Sequence, residues 1–194
     1  MSESAVPAPD PGPDAGAIWH HGDPFGEQRS AATGAVVVDR SHRAVLALTG
    51  PDRRSWLHSL STQHVADLPD GASTENLSLD GQGRIEDHWI QTEFDDVTYL
   101  DTEPWRGEPL LAYLRKMIFW AQVSVEPADL AVLTLLGPGL AEPAVLGCLD
   151  LASLPDATAV ALPGGGFVRR SPGADGPEFD MLVPRADAGD WMRR

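Results

Sequence analysis

The octapeptide VLALTGPD, residues 45–52, recurs as VLTLLGPG at residues 132–139, with five of the eight positions identical. In both copies an apolar run of strand length ends directly at Gly-Pro. Glycine permits a sharp turn, and proline at a first helical position needs no amide donor, so each copy reads as a strand entering a helix. The chain therefore reads as two related strand-helix-strand units. Chance likeness is the competing account, because short apolar strands draw on few residue types.

Reading outward from the first copy, AVVVD (35–39) is a strand, and Arg40-Ser41-His42-Arg43 connects it to the strand beginning at Ala44. A helix from Pro51 puts Trp56, Leu57, Leu60 and His64 on one face. ASTENLSL, GRIEDHWIQTEF and DVTYLDTE come next as an antiparallel meander, turned at Asp80-Gly81-Gln82-Gly83 and Asp95-Asp96. GEPLLAYLRKMIFW spaces Leu110, Leu111, Leu114, Met117 and Ile118 as a helix, and AQVSVE returns as a strand. The second copy continues into a helix over AEPAVLGCLDL, with Cys148 in its apolar core, and then into strands ATAVALP, GFVRRS and EFDMLVP. RADAGDWMRR opens a further helix without a stop signal, as a chain cut from a longer protein would.

Composition narrows the partners. A formal charge of −15 argues against nucleic acid and anionic membranes, which reward Lys and Arg. No apolar run approaches the roughly 20 residues of a membrane span, and the N-terminus lacks signal character, so a cytoplasmic location is expected. The single cysteine excludes an internal disulfide and multi-cysteine zinc patterns. No metal site is expected: His20 and His21 are sequence neighbours that point opposite ways in an extended segment. Residues 1–18, rich in Pro, Ala and acid, read as a flexible leader, and Trp19 and Phe25 are expected to dock the adjoining segment onto the domain.

HHGDPFGEQRSAATGAVVVDRSHRAVLALTGPD, GRIEDHWI, LAVLTLLGPG and GPEFDMLVP, in that order, resemble the folate-binding domain shared by the glycine-cleavage T protein, an aminomethyltransferase, and its YgfZ relatives. The resemblance spans roughly residues 20–190. It implies an α+β fold of two interleaved, duplicated αβ units with mainly antiparallel sheets, and tetrahydrofolate as the ligand. The expected organisation is a leader (1–18) and a folate-binding domain (19–194), with unit one at 31–52 plus 128–194 and unit two at 53–127. The resemblance also implies a C-terminal β-barrel, for which these 194 residues are expected to have no room.

Two acids stand out. Strand alternation puts Ile85, Asp87 and Trp89 on one face, so Asp87 is expected to be partly desolvated, a stronger base and a better acceptor for a ligand N–H. The resemblance places Asp87 on the first aspartate of the T-protein pattern Gly-Gly-Ile-Val-Asp-Asp, near the reactive folate nitrogens, as the candidate catalytic and cofactor-binding residue. Arg84 and His88 depart from that pattern. The same resemblance gives Asp180 the pterin's 2-amino and ring N–H groups, with Glu178 as fallback. A surface cluster of Arg40, Arg43, Arg53 and Arg54 is open to a polyglutamate tail or to plain surface ion pairing.

Departures from the transferase pattern in SLSTQHV (59–65) and GRIEDHW (83–89) favour a YgfZ-type folate protein supporting iron–sulfur proteins, although the YgfZ cysteine motif is missing. An aminomethyltransferase and a degenerate module that binds no folate are the alternatives.

Overall fold

A computed structural model describes residues 5–141, 150–171 and 176–193. In chain order the elements begin with strands β1 (Val6–Pro7) and β2 (Ile18–His20), helix α1 (Pro24–Thr33), β3 (Val36–Asp39), β4 (Ala44–Thr49) and α2 (Arg53–His58). The meander β5 (Ser73–Leu79), β6 (Ile85–Phe94) and β7 (Val97–Thr102) follows, then α3 (Pro104–Lys116), β8 (Ser124–Pro127) and β9 (Leu130–Leu136). β10 (Ala159–Ala161), β11 (Phe167–Arg170), β12 (Glu178–Pro184) and α4 (Ala188–Trp191) complete it. Most of the expected helix over AEPAVLGCLDL, including Cys148, lies outside the described residues.

The chain forms two compact units: Met1–His42, Leu130–Asp156 and Ala161–Arg194 make the first, Arg43–Asp129 and Ala157–Val160 the second. Each holds an antiparallel sheet of the same plan. The first runs β10-β11-β12-β9-β3 and the second β5-β6-β7-β4-β8. A three-stranded meander comes first, the repeated octapeptide supplies the fourth strand, and a short edge strand closes the row. That edge strand is exchanged: β3 precedes β4 in sequence but pairs with β9, while β8 precedes β9 but pairs with β4. The exchange is what interleaves the units. It also moves the boundary from the expected residue 52 to Arg43, because β4 pairs with β7 and β8.

The two Gly-Pro turns match in backbone as well as in sequence. Gly50 has φ +109° and Gly137 φ +116°, a region L side chains avoid. A Cβ on Gly50 would stand 2.1 Å from the Gln122 carbonyl oxygen, and one on Gly137 2.3 Å from that of Gly34. Beyond the turns the two copies diverge. After Gly50 the helix starts at Arg53, two residues later than Pro51, whereas Pro138–Ala141 forms a short 3-10 helix.

The second unit's core lies on one face of its sheet. Leu46, Leu48, Trp89, Leu100 and Val125 pack against Trp56 and Leu57 of α2 and Leu110 and Leu114 of α3. Period-2 and period-3.6 apolar patterns therefore meet as the sequence requires. His64 does not join them: α2 ends at His58, and His64 is exposed beside Asp67. In the first unit β9 and β12 are buried along five consecutive residues each, on both faces.

The segment expected to be a loose leader forms a hairpin, with Val6 opposite His20 and the Ala8 amide donating to the Ala17 carbonyl. Its proline- and glycine-rich middle makes the turn, so a composition poor in core residues still closes a ribbon through backbone bonds.

Candidate functional site

Asp87 sits on β6 opposite Ser78 of β5, and it is 3% exposed. Its burial has a different origin from the one alternation implies. The β5–β6 register shifts between Ser78 and Leu79: Ser78 faces Asp87, but Leu79 faces Ile85, so β6 carries one extra residue there. A bulge of this kind breaks alternation. Ile85 therefore turns away from Asp87 and is 65% exposed, which corrects the expectation that the two share a face. Past the bulge alternation resumes, and Asp87, Trp89, Gln91 and Glu93 face the helices.

Asp87 is an ion-paired acid. The α3 residue Arg106 donates to Oδ1 through Nε at 2.7 Å and Nη2 at 2.6 Å, and Ser78 Oγ donates to Oδ2 at 3.0 Å. A carboxylate offers about four acceptor positions, and among the described residues these donors fill three, leaving one on Oδ2. Tyr113, two turns on from Arg106 along the same face of α3, keeps its proton: partial burial and the nearby carboxylates of Glu86 and Asp87 push the phenol above its ordinary value. Trp89 is fully buried, and its indole N–H has no hydrogen-bond partner among the described residues. One open acceptor position and one orphaned donor therefore lie on the same strand face, a polar pair that calls for a ligand or water.

The substitutions that set this chain apart from the T-protein pattern lie elsewhere. Arg84 clamps the hairpin turn through Asp80, bonding Oδ2 through Nε at 2.8 Å. His88 points to the opposite face of β6 from Asp87, its Nε2 3.3 Å from Glu75. Neither touches Asp87.

Asp180 belongs to the first unit and is 1% exposed. Arg169, Asp180 and Thr134 are directly opposite one another across β11, β12 and β9, which places all three on one face. Thr134 Oγ1 donates to Oδ1 at 2.7 Å; Arg169 donates to Oδ2 through Nε at 3.2 Å and Nη2 at 2.9 Å, and Ser171 Oγ reaches Oδ2 at 3.3 Å. Burial opposes the charge on Asp180, but the Arg169 guanidinium and the Thr134 hydroxyl, with Arg40 at 4.0 Å, outweigh it and hold the acid below its usual range. Glu178, at the start of β12, is half-buried and lines a hollow of about 270 Å³ with Leu136, Gly137, Pro138, Gly176 and Pro177.

The expected arginine patch is dispersed. Arg43 is buried against Asp101 and Glu103, Arg53 lies near Glu93 and Asp96, Arg54 donates to the Leu68 carbonyl, and Arg40 donates to Thr134. Each guanidinium has its own partner, because four arginines close in sequence leave the strand and helix in different directions.

Arg106, Ser78, Tyr113, Thr134 and Arg169 do not stand out in the sequence. Arg169 carries a usable signal: pairing GFVRRS with EFDMLVP as a hairpin brings an arginine opposite Asp180. Arg106 carries none, since a helix 19 residues on supplies it.

No family model matches the chain, and no curated protein matches it. Among solved structures it is similar to the glycine cleavage system aminomethyltransferase T from Bartonella henselae, at 20% identity over 98% of this chain, with a TM-score of 0.83. The chain shares the aminomethyltransferase T fold. It spans about half of that protein, covering 53% of its length. It is also similar to the heterotetrameric sarcosine oxidase from Corynebacterium sp. U-96, solved with pyrrole 2-carboxylate, at 15% identity over 88% of each chain and a TM-score of 0.60. Likeness at these identities carries the fold and leaves activity to the site residues. No helix of the described residues is long and apolar enough to cross a membrane.

Proposed function

We propose that this chain is a tetrahydrofolate-binding domain whose chemistry is of the aminomethyltransferase kind. The observation that carries this reading is Asp87: a buried, arginine-held carboxylate with one open acceptor position, on a fold shared with aminomethyltransferase T. A buried ion pair is costly relative to apolar side chains of the same size, and such cost concentrates at functional sites. Bound tetrahydrofolate would supply a one-carbon acceptor at its reduced pterin nitrogens. Asp87 would take an N–H through Oδ2, Arg106 would fix the carboxylate plane, and Tyr113 would remain a neutral donor nearby. A carboxylate acceptor with a vacant position fits an N–H-rich ligand. At Asp180 the fit fails as the residues stand, because a pterin edge meets both carboxylate oxygens and Oδ2 is already taken by Arg169 Nε, Arg169 Nη2 and Ser171 Oγ.

This order of readings reverses the one the sequence alone favours. There the YgfZ reading leads because SLSTQHV and GRIEDHW depart from the transferase pattern. Within GRIEDHW, Arg84 pairs with Asp80 and His88 lies beside Glu75, both away from Asp87, so those two departures do not weigh against transfer. Aminomethyl transfer would engage a lipoyl-protein partner; an iron–sulfur client belongs to the YgfZ reading.

Calorimetric titration with tetrahydrofolate tests the proposal. Saturable binding is expected in the wild type, weakened roughly tenfold or more in Asp87→Asn, the loss of one hydrogen bond to a charged group. A folded wild type that binds no tetrahydrofolate would end the folate reading.

A further inference from the structure

Arg169 is fully buried, and it meets Asp180 with two N–H groups on one planar edge, Nε and Nη2. The 2-amino and ring N–H groups of a pterin form the same motif: two donors, one plane, one side. Thr134 donates to Oδ1, while both Arg169 N–H groups and Ser171 converge on Oδ2, so Oδ2 has no acceptor position left for an edge that must meet both oxygens. We propose that Arg169 is an internal competitor for the N–H edge of a pterin at Asp180, so that ligand and guanidinium exchange on one carboxylate. The inference rests on the folate reading and deepens it, because it names what limits binding in the first unit. Arg169 and Asp180 are directly opposite on β11 and β12, so the exchange involves one cross-strand pair. The displaced guanidinium must find another acceptor, and that cost falls on the ligand's affinity.

The test uses pterin itself, which carries the N–H edge alone, and 5-formyltetrahydrofolate, titrated at pH 8 into wild type, Arg169→Met and Arg169→Met/Asp180→Asn. Circular dichroism confirms that each is folded. The expected result is pterin binding roughly tenfold or more tighter in Arg169→Met than in wild type, the factor one charge-assisted hydrogen bond supplies, with the gain lost in the double variant. Should Arg169→Met not fold, Arg169→Gln, which keeps an amide donor, carries the same comparison. Equal or weaker pterin affinity in the folded variant overturns the competitor and leaves the folate reading standing, provided that 5-formyltetrahydrofolate still binds wild type. A gain that survives Asp180→Asn also overturns it. Failure of 5-formyltetrahydrofolate to bind any folded variant removes the folate reading and the competitor together.

Discussion

Replacing Gly50 or Gly137 with alanine tests the repeat at the atoms that define it. Both glycines hold a positive φ, at which an L side chain costs about 1–2 kcal/mol. Both would also drive a Cβ against a backbone carbonyl, at 2.1 Å for Gly50 and 2.3 Å for Gly137, where overpacking adds about 1–3 kcal/mol. Each substitution should therefore destabilise by about 2–5 kcal/mol. Two further glycines separate these contributions. Gly83 has φ +79° with nothing near its Cβ position, so Gly83→Ala should show the conformational cost alone, about 1–2 kcal/mol. Gly81 has neither constraint, and Gly81→Ala should stay within about 0.5 kcal/mol of wild type. Urea unfolding followed by tryptophan fluorescence and circular dichroism reads the series. At a slope of about 2 kcal/mol per molar urea, the two repeat variants should lose about 1–2.5 M in midpoint. If Gly50→Ala or Gly137→Ala melted with Gly81→Ala, the claim that both copies need one strained turn would be wrong.

Three other expectations concern buried charge. Arg106→Leu strands the carboxylate of Asp87; since Arg106 is partly exposed, the cost should be about 2–3 kcal/mol, below that of a fully buried pair, and adding Asp87→Asn should restore more than half of it. A single-variant loss under about 0.5 kcal/mol in the same urea assay would reduce the pair to a surface contact. Asp180 is held below its ordinary value of 3.8, so its contribution is complete above that pH and disappears as pH falls through the lower folded value; wild type should show an acid transition that Asp180→Asn lacks. Glu93 behaves oppositely. Burial raises it, Oε2 lacks a hydrogen bond, and Arg53 stands 3.5 Å away, so the charged form penalises folding increasingly as pH rises past 4.5. Glu93→Gln should stabilise at pH 7 and give no gain at pH 4; equal gains at both would exclude titration as the cause.

The repeat, the meander and the helix on its sheet are legible in the sequence because each rests on local periodicity and turn chemistry. Two features are not. The bulge at Glu86 is set by cross-strand pairing with Ser78 and Leu79, and nothing within GRIEDHWI announces it, so alternation alone puts Ile85 on the wrong face while leaving Asp87 on the buried one. The exchange of β3 and β8 is likewise a pairing choice between similar strands, invisible along the chain. The acids are readable from their strands; their partners are not, because a buried arginine looks like any surface arginine until its neighbour is known.

Duplication supplies an internal control on what the Asp180 cluster is for. Aligning the two octapeptides matches Ala47 with Thr134, and the strand registers then match Tyr99 with Asp180 and Thr92 with Arg169. The second unit thus closes the same cross-strand row without an ion pair, so the row does not require one for folding. Apolar replacement should be tolerated on that ground: the triple variant Arg169→Met, Asp180→Leu, Thr134→Val should fold with stability unchanged or raised by about 1–4 kcal/mol, as replaced buried ion pairs generally do. Urea unfolding measures the stability, and pterin titration of the same protein should lack the gain in affinity expected of Arg169→Met alone. A loss above about 2 kcal/mol on apolar replacement would instead make the cluster part of the first unit's architecture, since breaking structural pairs costs that much. Stability kept with that gain absent would leave ligand chemistry as the reason a carboxylate, and the arginine that guards it, stand in that strand row.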